Sequence, residues 1–193
     1  MTRTPVSYFE RMYDADADPW GFETRWYERR KYDLTLASLP RRRYRAGYEP
    51  GCSVGVLSEG LASRCDRLMV SDQQPRAVAA ARSRLGAHDH VQVERHIIPE
   101  EWPDGPWDLV VLSEVAYYFD DAELAELLSR TMATLEPAGH LVAVHYRLAT
   151  DYPQTGDAVH ARIDDQGGLA RMVQHREAEF ALGVWQRQGP WPG

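Results

Sequence analysis

The feature that most constrains this chain is an alternation, from residue 44 onward, of short apolar runs with stretches of helical period. An edge strand at 44–50 leads into a glycine-containing turn at 51–55 and a helix to about residue 64. A short strand at 68–71 ends at Asp72, and a helix with apolar positions Ala77, Val78, Ala81 and Leu85 precedes a strand at 91–95. The apolar run 109–112 reads as a buried strand, followed by a periodic helix carrying Leu124, Leu127, Leu128, Met132 and Leu135. The turn Glu136-Pro137-Ala138-Gly139 then enters a strand at 140–146. Such alternation predicts a mostly parallel sheet with helices on both faces. The last part, 157–187, reads as a short helix and two strands near 169–175 and 178–186. Strands that close in sequence pair antiparallel, so the expected sheet is mixed.

Residues 1–47 are rich in aromatic and charged side chains. The spacing of Trp26, Tyr27, Leu34, Leu36 and Leu39 predicts a helix over 24–39, ended by Pro40. The arginines at 41, 42, 43 and 45 read as a solvated connector. A length of 193 residues suits one domain, divided here into a helical cap segment (1–43) and a core (44–193). The net charge of −7 argues against a general nucleic-acid binder. No apolar stretch is long enough for a membrane helix and residues 1–10 lack a signal-like run, so cytoplasmic residence is expected. Cys52 and Cys65 have neither disulfide-framework nor metal spacing, and the histidines offer no metal pattern, so no metal is expected.

Three features fall where a doubly wound sheet places a ligand, at the carboxyl ends of its strands. The first is Glu49-Pro50-Gly51-Cys52-Ser53-Val54-Gly55, in which Gly51 and Gly55 allow close backbone approach. The second is Asp72, 21 residues after Gly51, where a carboxylate can accept from both hydroxyls of a ribose, with Gln73 beside it. A helix N-cap is the plain alternative for Asp72. The third is Ser113-Glu114, directly after the buried run. The loop lacks the three-glycine dinucleotide fingerprint, so a nucleoside without a pyrophosphate fits better, favouring S-adenosylmethionine (SAM) over NAD.

These residues resemble a known family. Glu49-x-Gly51-x-Ser53-x-Gly55 is similar to the first motif of class I SAM-dependent methyltransferases, Asp72 to their ribose-binding acid, and the turn at 135–141 to the one preceding their fifth strand. More narrowly, three stretches resemble the NodS-like group of nodulation N-methyltransferases: Asp18-Pro19-Trp20 with Tyr27-Glu28-Arg29-Arg30-Lys31-Tyr32, residues 103–114, and Tyr117-Tyr118. The resemblance implies a Rossmann-like, doubly wound seven-stranded sheet with the last strand antiparallel. It implies SAM as cofactor, with S-adenosylhomocysteine (SAH) as product, and methyl transfer to a small-molecule acceptor. The acceptor atom implied is an amine nitrogen of an amino sugar or natural-product intermediate. O-methylation, or SAM/SAH binding without transfer, is the alternative.

Cofactor contacts are expected from Glu49, Gly51, Cys52, Ser53, Gly55, Asp72, Gln73, Ser113 and Glu114, with Trp20 covering the sulfonium or adenine and Arg30 binding the methionyl carboxylate. Ile97 stands where the family usually has an acid, which leaves the backbone of Ile97 and Ile98 to hold the adenine edge. An amine must present a neutral lone pair, so a positioned proton acceptor helps. His145, Glu114 and Tyr118 are the candidates, His145 because its ordinary pKa lies near neutrality.

Overall fold

The computed structural model describes residues 2–189. Among them, strands β1 (Tyr44–Pro50), β2 (Cys65–Asp72), β3 (Val91–Arg95), β4 (Trp107–Ser113), β5 (Leu135–Tyr146), β6 (Leu169–Arg176) and β7 (Phe180–Arg187) form one seven-stranded sheet, ordered β3-β2-β1-β4-β5-β7-β6. Strands β1 to β5 pair in parallel, whereas β7 runs antiparallel to both β5 and β6. The helices are α1 (Val6–Ala15), α2 (Trp26–Ala37), α3 (Val56–Ala62), α4 (Pro75–Leu85), α5 (Asp121–Thr134) and α6 (Gly156–Asp164).

Two apolar layers explain this architecture. Leu109, Val111, Val142, Val144, Leu182 and Val184 pack with Leu57 and Leu61 of α3, Val78, Ala81 and Leu85 of α4, and Leu34 and Leu36 of α2. On the other face Val110, Leu112, Leu141, Ala143 and Trp185 meet Leu124, Leu127 and Leu128 of α5 and Val159 and Ile163 of α6. Every residue of β4 is buried, as a parallel strand covered on both sides requires. Helix α5 opens with a capping box: Asp120 accepts from the backbone of Ala122 and Glu123, and Glu123 returns a bond to the Asp120 amide.

Several expected boundaries shift. The strand at 44–50 lies inside the sheet, between β2 and β4, and not at an edge. The turn at 136–139 is drawn into β5, with Ala138 at φ 59°. Helix α1, which the sequence reading did not anticipate, buries Phe9 and Tyr13, one helical turn apart. The arginine run remains largely exposed but is tied down by ion pairs, Arg41 to Asp108, Arg43 to Asp66 and Arg45 to Glu136.

Because β1 adjoins both β2 and β4, connections leave it in opposite directions and a crevice opens at the carboxyl ends of these strands. Residues 3–25 lie across that crevice. The Thr4 amide donates to the Tyr118 carbonyl at 2.9 Å, and the Arg3 guanidinium to the Ile98 carbonyl at 2.9 Å.

Asp108 fastens the other end of the switch point. Its carboxylate accepts from the amides of Arg45 at 3.0 Å and Ala46 at 2.8 Å, in a nearly dry setting. Asp108→Ala strands both donors, and is expected to cost about 2–3 kcal/mol in urea denaturation, with Asp108→Asn intermediate because one acceptor oxygen survives.

Candidate cofactor and acceptor site

A cavity of about 250 Å³ occupies the crevice. Its floor is made by strand ends: Glu49 of β1 with Gly51, Cys52 and Ser53, Asp72 of β2 with Gln73, and Ser113 of β4 with Glu114. Gly51 turns at φ 74°, and a Cβ there would come within 2.8 Å of Val115 Cγ2, so the loop leaves no room for a side chain. Ser53, in the place of a second glycine, adopts φ 50°, and its hydroxyl is bonded to Tyr13 Oη at 2.5 Å. Helix α1 thus grips the loop directly.

Asp72 sits at the end of β2 and is no N-cap. Helix α4 is entered at Gln74 without a side-chain cap, while Asp72 accepts from the Ser53 amide at 3.1 Å and the Gln74 amide at 2.8 Å. One bond on each oxygen leaves further acceptor capacity toward the cavity. Burial raises the Asp72 carboxyl to about 6 against those backbone donors. Glu49 is more enclosed, with only the Ser58 hydroxyl at 2.5 Å for company, and burial lifts it to about 8. In the same wall Gln73 Oε1 and His96 Nδ1 are buried without hydrogen-bond partners. A nucleoside carrying hydroxyls, ring nitrogens and an ammonium would satisfy this donor and acceptor set, so the residues fit SAM.

The far end of the cavity is built on α2 and β4. Lys31, almost free of solvent, lies 2.8 Å from Glu28 and 2.7 Å from Glu114. Burial alone would push the Lys31 ammonium down, but the two carboxylates outweigh it and hold it above its ordinary value. Glu114, at φ 54°, also accepts from Tyr117 Oη and from the Tyr146 amide at 3.0 Å. Aromatic rings close the space: Tyr117 stacks on Tyr152 at 5.0 Å, and Tyr118 stands edge-on to Phe9 at 4.8 Å. Trp20 stacks on Phe22 at 5.6 Å over the loop side.

Four expected site residues are displaced. Arg30 points out of the cavity into a two-pronged ion pair with Glu177 at 2.6 and 2.7 Å, because helical rotation by one residue brings Lys31 inward instead. His145 is fully buried outside the lining, accepting from the Ala116 amide at 3.3 Å and paired with His160 at 3.3 Å. Burial and His160 hold it well below the usual histidine range, as suits a neutral structural ring. Gly55 lies behind the loop, where a Cβ would meet Ala81 Cα at 3.3 Å; its φ of 81° and its bareness serve the α3–α4 approach. Ile97 also lies off the lining, its amide donating to Glu101 at 2.7 Å, while its neighbours His96 and Ile98 face the cavity.

Sequence reasoning missed Glu28, Lys31, His96 and Tyr13. The i,i+3 spacing of Glu28 and Lys31, which shares one helix face, was the available signal.

The fold and this crevice define a class, the Rossmann-like α/β proteins with a nucleoside site at the switch point. The family is shown by comparison: residues 6–149 match the model of Nodulation protein S (NodS), and the chain belongs to that family. Nodulation protein S of Rhizobium tropici is 32% identical over 130 residues, 66% of this chain and 55% of that protein, so the match spans only about half of that relative's length. A putative methyltransferase from Pseudomonas syringae is 45% identical, with a TM-score of 0.76 over 84% of this chain and 100% of that one. The N-methyltransferase NodS from Bradyrhizobium japonicum WM9, solved in complex with SAH, is 28% identical, with a TM-score of 0.85 over 95% of this chain and 98% of the other.

The pKa of Glu49 makes the cofactor-free protein pH-sensitive. Its folded value of about 8 exceeds the ordinary 4.5, so the folded state holds this proton more tightly than the unfolded chain. That stabilisation is complete below the unfolded value and is lost as pH rises through the folded one. Glu49→Gln should therefore flatten the decline of Tm between about pH 5 and 8, read by thermal denaturation without cofactor.

Proposed function

We propose that this chain is a SAM-dependent methyltransferase acting on the amine nitrogen of a small molecule, such as an amino sugar or natural-product intermediate. The observation that carries the reading is a single cavity joining Asp72 and Glu49 at one end to Glu28, Lys31 and Glu114 at the other. In this reading Asp72 accepts from the ribose hydroxyls, Gln73, His96 and Ile98 line the adenine, and Gly51, Cys52 and Ser53 pass their backbone along the nucleoside. Glu49 faces the methionyl ammonium, which supplies the counter-charge that burial withholds. Trp20 and Ser113 complete the wall.

The cofactor supplies an activated methyl group on a sulfonium. The protein's task is then to hold the acceptor in near-attack geometry, a contribution worth up to about 7–11 kcal/mol. Tyr117, Tyr118 and Tyr152 would hold the acceptor's body and Glu114 would position it, its two oxygens already fixed by Lys31, Tyr117 and Tyr146. Residues 1–43 act as a cap over a core at 44–193, and the Tyr13–Ser53 bond couples the cap to the cofactor loop. The net charge of −7 favours a small or cationic acceptor over nucleic acid. Among the described residues no helix is long and apolar enough to cross a membrane. We place the reaction in a reducing, cytoplasmic setting, in keeping with buried Cys52 and Cys65 as free thiols.

The test is direct. Asp72→Ala should weaken SAM binding about 10-fold or more in calorimetry, the loss of a charge-assisted bond; unchanged affinity would refute the ribose role. Methyl-labelled SAM is then offered with glucosamine, benzylamine and putrescine and with the matching alcohols. Labelled amines support the reading, labelled alcohols replace it with O-methylation, and SAM binding without any labelled product identifies a silent binder.

A further inference from the structure

Glu114 and Glu28 flank the same lysine but differ in what remains of their hydrogen-bonding capacity. Glu114 is the more heavily bonded: Lys31 bonds one oxygen, and Tyr117 and the Tyr146 amide bond the other. Glu28 has Lys31 alone at 2.8 Å, with no amide or hydroxyl donor among the described residues, and its Oε2 is buried without a well-directed hydrogen bond. Its side chain is only 6% exposed, yet it lines the cavity. The Tyr27 hydroxyl beside it in the lining is likewise buried and without a partner. A carboxylate held by one ammonium alone and a phenol with no partner among the described residues, side by side in the cavity wall, mark a place prepared for a ligand donor.

The charges agree with a cationic visitor. Among the buried groups of the cluster two carboxylates face one ammonium, and the guanidinium of Arg25 that also faces Glu28 is exposed to solvent, which screens it. The groups facing Glu28 are Lys31, Arg25 and Glu114, with the phenols of Tyr27 and Tyr32. Burial raises the Glu28 carboxyl and Lys31 opposes it, leaving it a better proton acceptor than a solvated glutamate.

We propose that Glu28 is the catalytic base of the acceptor end: its carboxylate receives the incoming ammonium and takes its proton. The N–H bond breaks with its electron pair left on nitrogen, an O–H bond forms on Glu28, and the proton later leaves to water. The amine is thereby neutral when it meets the methyl group. Lys31 is a positioning residue that keeps both carboxylates in place. The inference rests on the amine reading above.

The experiment uses the fastest amine of the three-amine panel. In Glu28→Gln, kcat/KM at neutral pH should fall about 100-fold or more, the usual worth of a general base, while SAH affinity and Tm stay near those of the wild type. The loss should shrink as pH climbs toward the amine's own pKa, because solvent then removes the proton. Glu28→Asp should retain a base-like pH profile at reduced rate. Independently, amine added to the SAH-loaded wild type should raise a carboxylic-acid band in difference infrared spectra that Glu28→Gln lacks. A loss equal at every pH, a band that persists in the variant, or weakened SAH binding with a lowered Tm would overturn the proposal. Absence of any labelled amine from the wild type would instead sink the reading beneath it.

Discussion

Lys31 lies between Glu28 and Glu114 with almost no access to water, and the arrangement of the whole crevice follows from that placement. Burying this ammonium is tolerable because carboxylates match it on both sides, whereas an unpaired buried charge costs several kilocalories per mole. The match requires α2 to lie against the end of β4 with one particular face inward. That choice sends Arg30 outward to Glu177 and brings Tyr27 and Tyr32 in under the ammonium, at 5.0 and 5.7 Å from ring centroid to Nζ. An interaction within one helix and across to one strand end thus sets where α2 lies and what it contributes.

The same end of the sheet carries the uncommon backbone. Gly51 and Gly55 at positive φ are permitted by their lack of a side chain, but Ser53 and Glu114 adopt φ 50° and 54° with one. Such conformations cost of order 1–3 kcal/mol each and persist only where the surroundings hold them. Here the holders are identifiable. Ser53 is tied through its amide to Asp72 and its hydroxyl to Tyr13, and Glu114 through its amide to the Val144 carbonyl and its carboxylate to Lys31. Two of the three non-glycine residues at positive φ among the described residues thus face the cavity, each coupled to a different part of the chain, while the third, Ala138, lies in the turn drawn into β5.

Much of this was legible beforehand. The helical period over 121–134 and the unbroken apolar run in β4 each left a single reading, and the spacing from Gly51 to Asp72 placed an acid beside the loop. The match to the NodS family rests on stretches the sequence displays openly. What failed was direction. Arg30 and Lys31 are adjacent cations on one helix, and no composition rule distinguishes them. His145 sits at a strand end as a base would, but alternation of side chains along β5 turns it away from the cavity toward His160.

The sequence by itself determined most of the strands and helices from residue 24 onward, since hydrophobic period and turn residues act over a few neighbours and need no distant partner. It also determined that acids would stand at the carboxyl ends of β1 and β2 and directly after β4, because Glu49 and Asp72 lie at the ends of their strands and Glu114 follows its own. Only the tertiary structure decided that Lys31 and not Arg30 completes the cavity lined by Glu49, Asp72 and Glu114, and that Glu28 is left with capacity to spare. Those outcomes depend on how a helix from the cap rotates against a sheet assembled from residues far along the chain. Helix rotation is fixed by the packing and charge pairing of both partners together, and neither partner's sequence contains it alone.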